Sequence, residues 1–317
     1  MTGDAVPIGV FVGLATMDVV HRVDRLAGRN EKVTALRQDV AAGGPATGAA
    51  LTYAALGGHS RLVTVLGASP VAGLVRNELE ARGVEVVDVD PDTATEVPVS
   101  AVQVDARTGE RSITSADAAG HAVQMDGPAR EVLDRALEGA AVVLLDGHHP
   151  ALAVAAARHV AVGRGSETGG ATLLLDAGRW RPVMAELLGL VDIAICSADF
   201  RLPGDEAGPT PQHVRDAGPA VVVITHGAEP VLWAAPGGRG EVAVPTVAAR
   251  DTSGAGDAFH GAYAWSVAHG GGTTDAIAVA VTVASHRVGS PGPRDWLRTL
   301  PRVATGPVAG DTVVGQA

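Results

Sequence analysis

Asp251-Thr252-Ser253-Gly254-Ala255-Gly256-Asp257-Ala258-Phe259-His260-Gly261 is the stretch around which the 317-residue chain makes sense. Upstream, Glu241-Val242-Ala243-Val244-Pro245 reads as a short strand. Downstream, residues 258–268 are apolar, rich in Ala and free of Pro, which predicts a buried helix. The glycines therefore stand where a loop becomes a helix. Gly254 and Gly256 lack a Cβ, so the backbone can take positive φ and approach a ligand closely. The first amides of a helix have no intrahelical acceptor and carry the positive end of its dipole. Such a terminus suits the charge of a transferring phosphoryl group. Asp257 falls in the first helical turn, where a carboxylate is well placed to take a proton from an attacking hydroxyl. Position 259 is not Gly, which leaves a dinucleotide fingerprint incomplete, and no Gly-Lys pair exists for a Walker A loop.

Working outward, residues 7–14 form an apolar run, the pattern of a strand buried on both faces, with Asp18 close behind. Residues 19–26 and 32–40, separated by Ala27-Gly28-Arg29-Asn30, read as a half-exposed hairpin. Residues 41–50 are small and open a helix that runs to Leu56. Strands are expected at 61–67 and 84–89, with an amphipathic helix at 71–82 between them. Residues 97–104 and 111–115 form a second hairpin around the turn 105–110. Two hairpins that interrupt an α/β chain most simply make one small separate sheet. From Met125 helices and strands alternate. Four apolar runs end in Asp146, Asp176, Cys196-Ser197 and Thr225. That pattern predicts a mostly parallel sheet covered by helices on both faces, with ligands outside the carboxyl ends of its strands. A further apolar helix spans 273–288, followed by Gly289-Ser290-Pro291-Gly292. The tail 301–317, rich in Gly, Pro and Val, is expected to be mobile.

Composition excludes several classes. The chain is 46% hydrophobic with mean hydropathy +0.21, enough apolar residue for a full core, and is read as a single domain over 1–317. A net charge of −11 with 3% aromatic residues argues against nucleic acid as a partner. No apolar run reaches membrane-spanning length, and no basic segment precedes a long apolar run as in a signal peptide. The lone Cys196 precludes an intrachain disulfide and fits a reducing cytoplasm. Lys32 is the single Lys among 24 basic residues, and an ammonium is not interchangeable with a guanidinium.

The 251–261 stretch resembles the C-terminal signature of the ribokinase-like (PfkB) carbohydrate kinases, Asp-Thr-x-Gly-Ala-Gly-Asp. The resemblance covers roughly 8–298. It implies a ribokinase-like α/β fold whose small sheet, segments 18–42 and 96–118, is a lid over the sugar and is shared in a homodimer. It implies Asp257 as catalytic base and Gly254, Ala255 and Gly256 as anion hole. Asp18, Lys32, Gly43, Gly44 and His148 would bind the sugar. Ser197, Thr225, Gly227, Thr252 and Ala284 would bind ATP. Mg²⁺ and K⁺ are the implied ions, with Asp251 at a metal. Lys32 ahead of Gly43-Gly44-Pro45-Ala46, with Leu175-Asp176, is most similar to the ketohexokinase and sulfofructose kinase branch. Three departures stand out. Gly48 or its neighbours stand where the family carries an Asn. His148 or a neighbour stands where sulfofructose kinases carry an Arg. Cys196-Ser197-Ala198-Asp199-Phe200 stands where many relatives have Asn-x-x-Glu.

The expected activity is therefore transfer of the γ-phosphate of ATP to a hydroxyl of a ketose or related carbohydrate. Other readings stay open. One is a nucleoside or sugar-phosphate kinase of the same fold, with Lys32 and Arg37 or Arg107 as a basic cluster. Another is a non-catalytic sugar sensor, against which an intact Asp257 weighs. A third is a nicotinamide-dependent oxidoreductase, against which the incomplete glycine fingerprint weighs.

Overall fold

A computed structural model describes residues 5–303 save 95, 119–122, 164–169 and 206–207. The chain enters through β1 (Ile8–Val12), leaves for β2 (Thr16–Val23) and β3 (Arg37–Gly43), then returns through α1 (Pro45–Ala55), β4 (His59–Thr64), α2 (Pro70–Glu80) and β5 (Val84–Asp88). It leaves again for β6 (Val99–Asp105) and β7 (Arg111–Thr114). Next come α3 (Gly127–Leu137), β8 (Ala140–Leu145), α4 (Pro150–Gly163), β9 (Thr172–Ala177), α5 (Met184–Leu187), β10 (Ile193–Ser197), α6 (Pro211–Arg215) and β11 (Val221–His226). The hairpin β12 (Glu229–Ala235) and β13 (Gly238–Val242) precedes the paired helices α7 (Ala255–Ala268) and α8 (Thr273–Val288). Of the tail, residues 304–317 lie outside the described residues.

The main sheet has the order β13-β12-β11-β10-β9-β8-β1-β4-β5, and its seven strands from β11 to β5 are parallel. Alternation along the strands divides the core. Phe11, Leu62, Leu144, Leu174 and Ile195 face α1, α7 and α8. Val10, Val12, Val143, Leu145 and Leu173 face α3 and α4. Both faces are covered, as a parallel sheet requires. A residue with any side chain at 261 would run into the Ala49 carbonyl and come within 2.7 Å of Thr52 Cβ, so Gly261 lets α7 cross closely over α1. That crossing brings the two helix N-termini together at the carboxyl edge of the sheet.

The two excursions form the separate sheet β3-β2-β6-β7. β2 and β6 join them in parallel, with Asp18 beside Ser100 and Val20 beside Val102. The sequence reading differs at the edges of elements. The strand expected at 241–245 is an antiparallel edge strand that stops at Val242 and pairs with β12, an element the sequence had left unassigned. Residues 41–43 finish β3 instead of opening α1, because Ala42 and Ala41 pair with Met17 and Asp18.

Candidate active site

Gly254 takes φ 68°, ψ 12°, the left-handed turn that delivers the chain into α7. The Ala255 amide reaches Thr252 O at 3.4 Å. The amides that follow in the first turn have no intrahelical acceptor. Beside them Ser253 Oγ is buried and carries no hydrogen bond among the described residues. Unpaired amides and an unpaired hydroxyl at one helix terminus are what a phosphate would satisfy. They open into a cleft of about 1080 Å³ between the main sheet and the small one.

Asp257 stands at the floor of that cleft, half-buried. Burial pushes its carboxyl up to about 7; Asp176 and Asp18 add to the rise, while His260 and Arg111 oppose it. Gly48 makes the room, because a Cβ there would stand 2.6 Å from that of Asp257. Position 48, where the family's Asn was missed in the sequence, is thus against the proposed base. Across the cleft Asp18 accepts Thr16 Oγ1 at 2.7 Å, and burial raises its carboxyl above the usual range. Gly43 lies against the Asp18 carboxylate with no space for a side chain, and Gly44 takes φ 100° ahead of Pro45.

The far end of the cleft is a chain of charges. Asp146, fully buried, accepts the amides of Leu14 (2.8 Å), Ala46 (3.2 Å) and His148 (2.9 Å), so it stitches β1, α1 and the loop after β8 together. Its burial would raise it, but His148 and these amides bring it down to about 2. Burial opposes charge on His148, yet Asp146 prevails and the imidazole is held above its usual range. Arg181 Nη2 lies 2.6 Å from His148 Nε2, and Arg181 Nη1 donates to Asp117 Oδ2 at 2.9 Å. Asp117 belongs to the small-sheet segment and Arg181 to the loop after β9, so this pair bridges the cleft.

The pattern of the pfkB family carbohydrate kinases matches residues 9–300. The chain belongs to the pfkB carbohydrate kinase family. Solved structures with a like fold include ribokinase from Thermotoga maritima (21% identity, TM-score 0.71, covering 94% of this chain and 97% of that one). Ribokinase from Arabidopsis thaliana, complexed with ribose and ATP, matches at 21% identity and TM-score 0.69, over 94% and 96% of the two chains. The tetrameric inhibited form of phosphofructokinase-2 from Escherichia coli matches at 17% identity and TM-score 0.70, over 93% and 98%. The fold is the ribokinase-like α/β fold with its smaller separate sheet. These likenesses do not single out the ketohexokinase and sulfofructose kinase branch.

In this pfkB kinase the cleft brings together Asp257, Gly254, Thr252, Asp18, Gly43, Gly44, and with them His148 and Ser197. Ala255 and Gly256 continue the same helix start. Thr225 and Gly227 stand at the end of β11, where Thr225 pairs in register with Ser197, outside the cleft wall itself. Ala284 packs against the core beside α8's neighbours and does not line the cleft. Lys32 is exposed on the loop between β2 and β3 and is not among the residues that line the cleft. Asp251 is corrected. It lies buried between Arg22 and Arg287, each 3.2 Å from Oδ2, so its carboxylate is taken by guanidinium groups and is not open to a metal. Sequence reading missed Asp117, Arg179, Arg181 and Arg111, all in the cleft wall. A signal existed for two of them, since Arg179 and Arg181 closely follow the strand-ending Asp176.

Proposed function

We propose that the protein is an ATP-dependent sugar kinase that moves the γ-phosphoryl group to a hydroxyl of a neutral carbohydrate, a ketose or related polyol. The observation that carries this is Asp257: a carboxylate raised to about 7, in the first turn of α7 beside unpaired amides, in one cleft with Asp18 and Gly43. The hydroxyl oxygen attacks the γ-phosphorus while its proton passes to Asp257. The bond from the γ-phosphorus to the bridging oxygen breaks, and ADP leaves with the electron pair. The amides from Gly254 to Gly256 hold the charge that develops. Asp18, the Gly43–Gly44 backbone and His148 orient the sugar, and Asp117 with Arg181 closes its far side.

ATP would extend from the anion hole past Ser197 toward Thr225 and Gly227. Among the described residues no group of three or more His, Cys, Asp or Glu side chains could hold a metal alone. Mg²⁺ does not need one, since it binds through one or two carboxylates together with substrate phosphates. Asp199 fits that part, as an exposed carboxylate in the cleft wall beside Ser197. When bound, Mg²⁺ neutralises phosphate charge. The outer face of the small sheet exposes Val40 and Val99, which favours pairing of two lids in a homodimer. No helix among the described residues is long and apolar enough to cross a membrane.

A coupled ADP-release assay across ketoses, aldoses, nucleosides and sugar phosphates tests the reading. One sugar should release ADP, and Asp257→Asn should bind ATP and that sugar yet turn over at least ~100-fold more slowly. Near-normal turnover in this variant removes Asp257 from the base role.

A further inference from the structure

The family resemblance implied K⁺, with Asp251 at a metal, and Asp251 lies against the end of α8, where its amide donates to Val288 O. The oxygens there are held by a side chain of the protein itself. Arg287, in the last turn of α8, is 3% exposed. Its Nη2 lies 3.2 Å from Asp251 Oδ2, and its Nη1 donates to Ser290 O at 3.0 Å and reaches Asp251 O at 3.5 Å. Asp251 is 1% exposed, and its Oδ1 accepts the Ser253 amide at 3.0 Å. A second guanidinium, Arg22 of the small sheet, meets the same Oδ2 at 3.2 Å. One carboxylate and two carbonyls around a buried positive charge are a donor set suited to a hard monovalent cation. Here the charge is covalent. A K⁺ ion would have to displace one guanidinium and sit against the other, so these residues do not fit K⁺.

We infer that Arg287 is a fixed replacement for a monovalent cation, a positioning residue that holds the anion-hole loop in shape, and that this kinase works without K⁺. The inference rests on the kinase reading of the same site. The guanidinium stays protonated at any working pH and is weakly hydrated, so it tolerates burial where an ammonium would not. The carbonyls at the end of α8 carry the negative end of the dipole and favour a cation there. The connection to chemistry is short. Arg287 fixes Asp251, Asp251 fixes the Ser253 amide, and Gly254 opens α7 directly after it. A Cβ on Gly254 would come within 3.9 Å of Arg287 Nε, so the guanidinium lies close beneath the first residue of the anion hole.

The test uses the full chain with ATP, Mg²⁺ and its sugar, in buffers whose sole monovalent cation is tetramethylammonium, Na⁺ or K⁺. The wild type should release ADP at rates equal within about twofold, with the same Tm in all three, since an ion that does not bind the native state cannot stabilise it. Arg287→Ala should be slower by about tenfold or more in tetramethylammonium, because it loosens the loop that positions the reacting groups. It should recover part of that rate with K⁺ or with millimolar guanidinium, but not with urea, and K⁺ should raise its Tm. Stimulation of the wild type by K⁺ of about tenfold overturns the inference, as does a K⁺-dependent rise in its Tm. A folded Arg287→Ala that is slow but deaf to every cation overturns it as well, leaving a packing role only. If Arg287→Ala does not fold, Arg287→Lys takes its place, with a reduced rate that guanidinium and K⁺ leave unchanged; stimulation of that variant by K⁺ counts against the inference. If no sugar releases ADP, the kinase reading has failed, and the melting curves still decide whether K⁺ binds.

Discussion

Asp257 works against the stability of the fold that holds it. A carboxyl whose folded pKa is raised to about 7, against about 3.9 when unfolded, leaves the native state favoured at low pH and progressively disfavoured as pH rises toward and through 7. Asp257→Asn should therefore melt higher than the wild type at pH 8, and the gap should close by about pH 4, as read by calorimetry across pH. The same carboxyl must be ionised to accept a proton. Wild-type kcat/KM should climb about tenfold per pH unit below about 7 and level off above, a limb that Asp257→Asn lacks. At the other end of the cleft Asp117, proposed to close the far side of the sugar with Arg181, stands away from the reacting atoms. Asp117→Asn should raise the sugar KM about tenfold while kcat stays within about threefold, the loss of one charge-assisted hydrogen bond. An unchanged KM would place Asp117 outside the sugar contact.

Helices α1 and α7 form one unit, because the Gly43–Gly44 turn proposed to hold the sugar opens the first and Asp257, the proposed base, stands in the first turn of the second. Gly261 sets their spacing. Gly261→Ala would normally favour a helix by up to about 1 kcal/mol, but here the new methyl meets the Ala49 carbonyl. Overpacking should win, lowering stability by about 1–3 kcal/mol in denaturant titration, with a fall in kcat as Asp257 shifts away from Asp18. How much of this was legible beforehand follows the range of each interaction. The αL glycine, the buried helix after it and the strands ending at Asp146, Asp176, Ser197 and Thr225 are local patterns, and the sequence carries them. The parallel seam between β2 and β6 joins segments some eighty residues apart, and nothing local encodes it. β12 was unreadable because Pro230 stands inside the strand and the Pro236-Gly237 turn follows it at once, so no clean alternation shows. Asp251 misled because a carboxylate that binds a metal and one that binds two arginines look alike until Arg22 and Arg287 arrive from distant segments.

Across the whole molecule the small sheet is tied to the body at both ends of the cleft. Arg22 Nη1 donates to Arg250 O at 2.9 Å, Thr252 Oγ1 donates to Gly109 O at 3.0 Å, and Arg111 Nη1 reaches Thr252 O at 2.9 Å. Asp117 with Arg181 makes the opposite tie. Cutting the first with Arg22→Met should let the small sheet open more often. Amide exchange in residues 99–114 should then quicken about tenfold or more while the core strands β1 and β8 keep their protection. Equal exchange in the two proteins would mean the tie is not what holds the sheet down. The placement of tryptophan adds a practical consequence. Trp296 forms part of the cleft wall with the Arg287 guanidinium 6.0 Å from its ring centre. Indole emission from Trp296 is thus a native optical gauge of occupancy at that end of the cavity. Saturation curves can be recorded without label or turnover, even for an enzyme whose chemistry has been silenced.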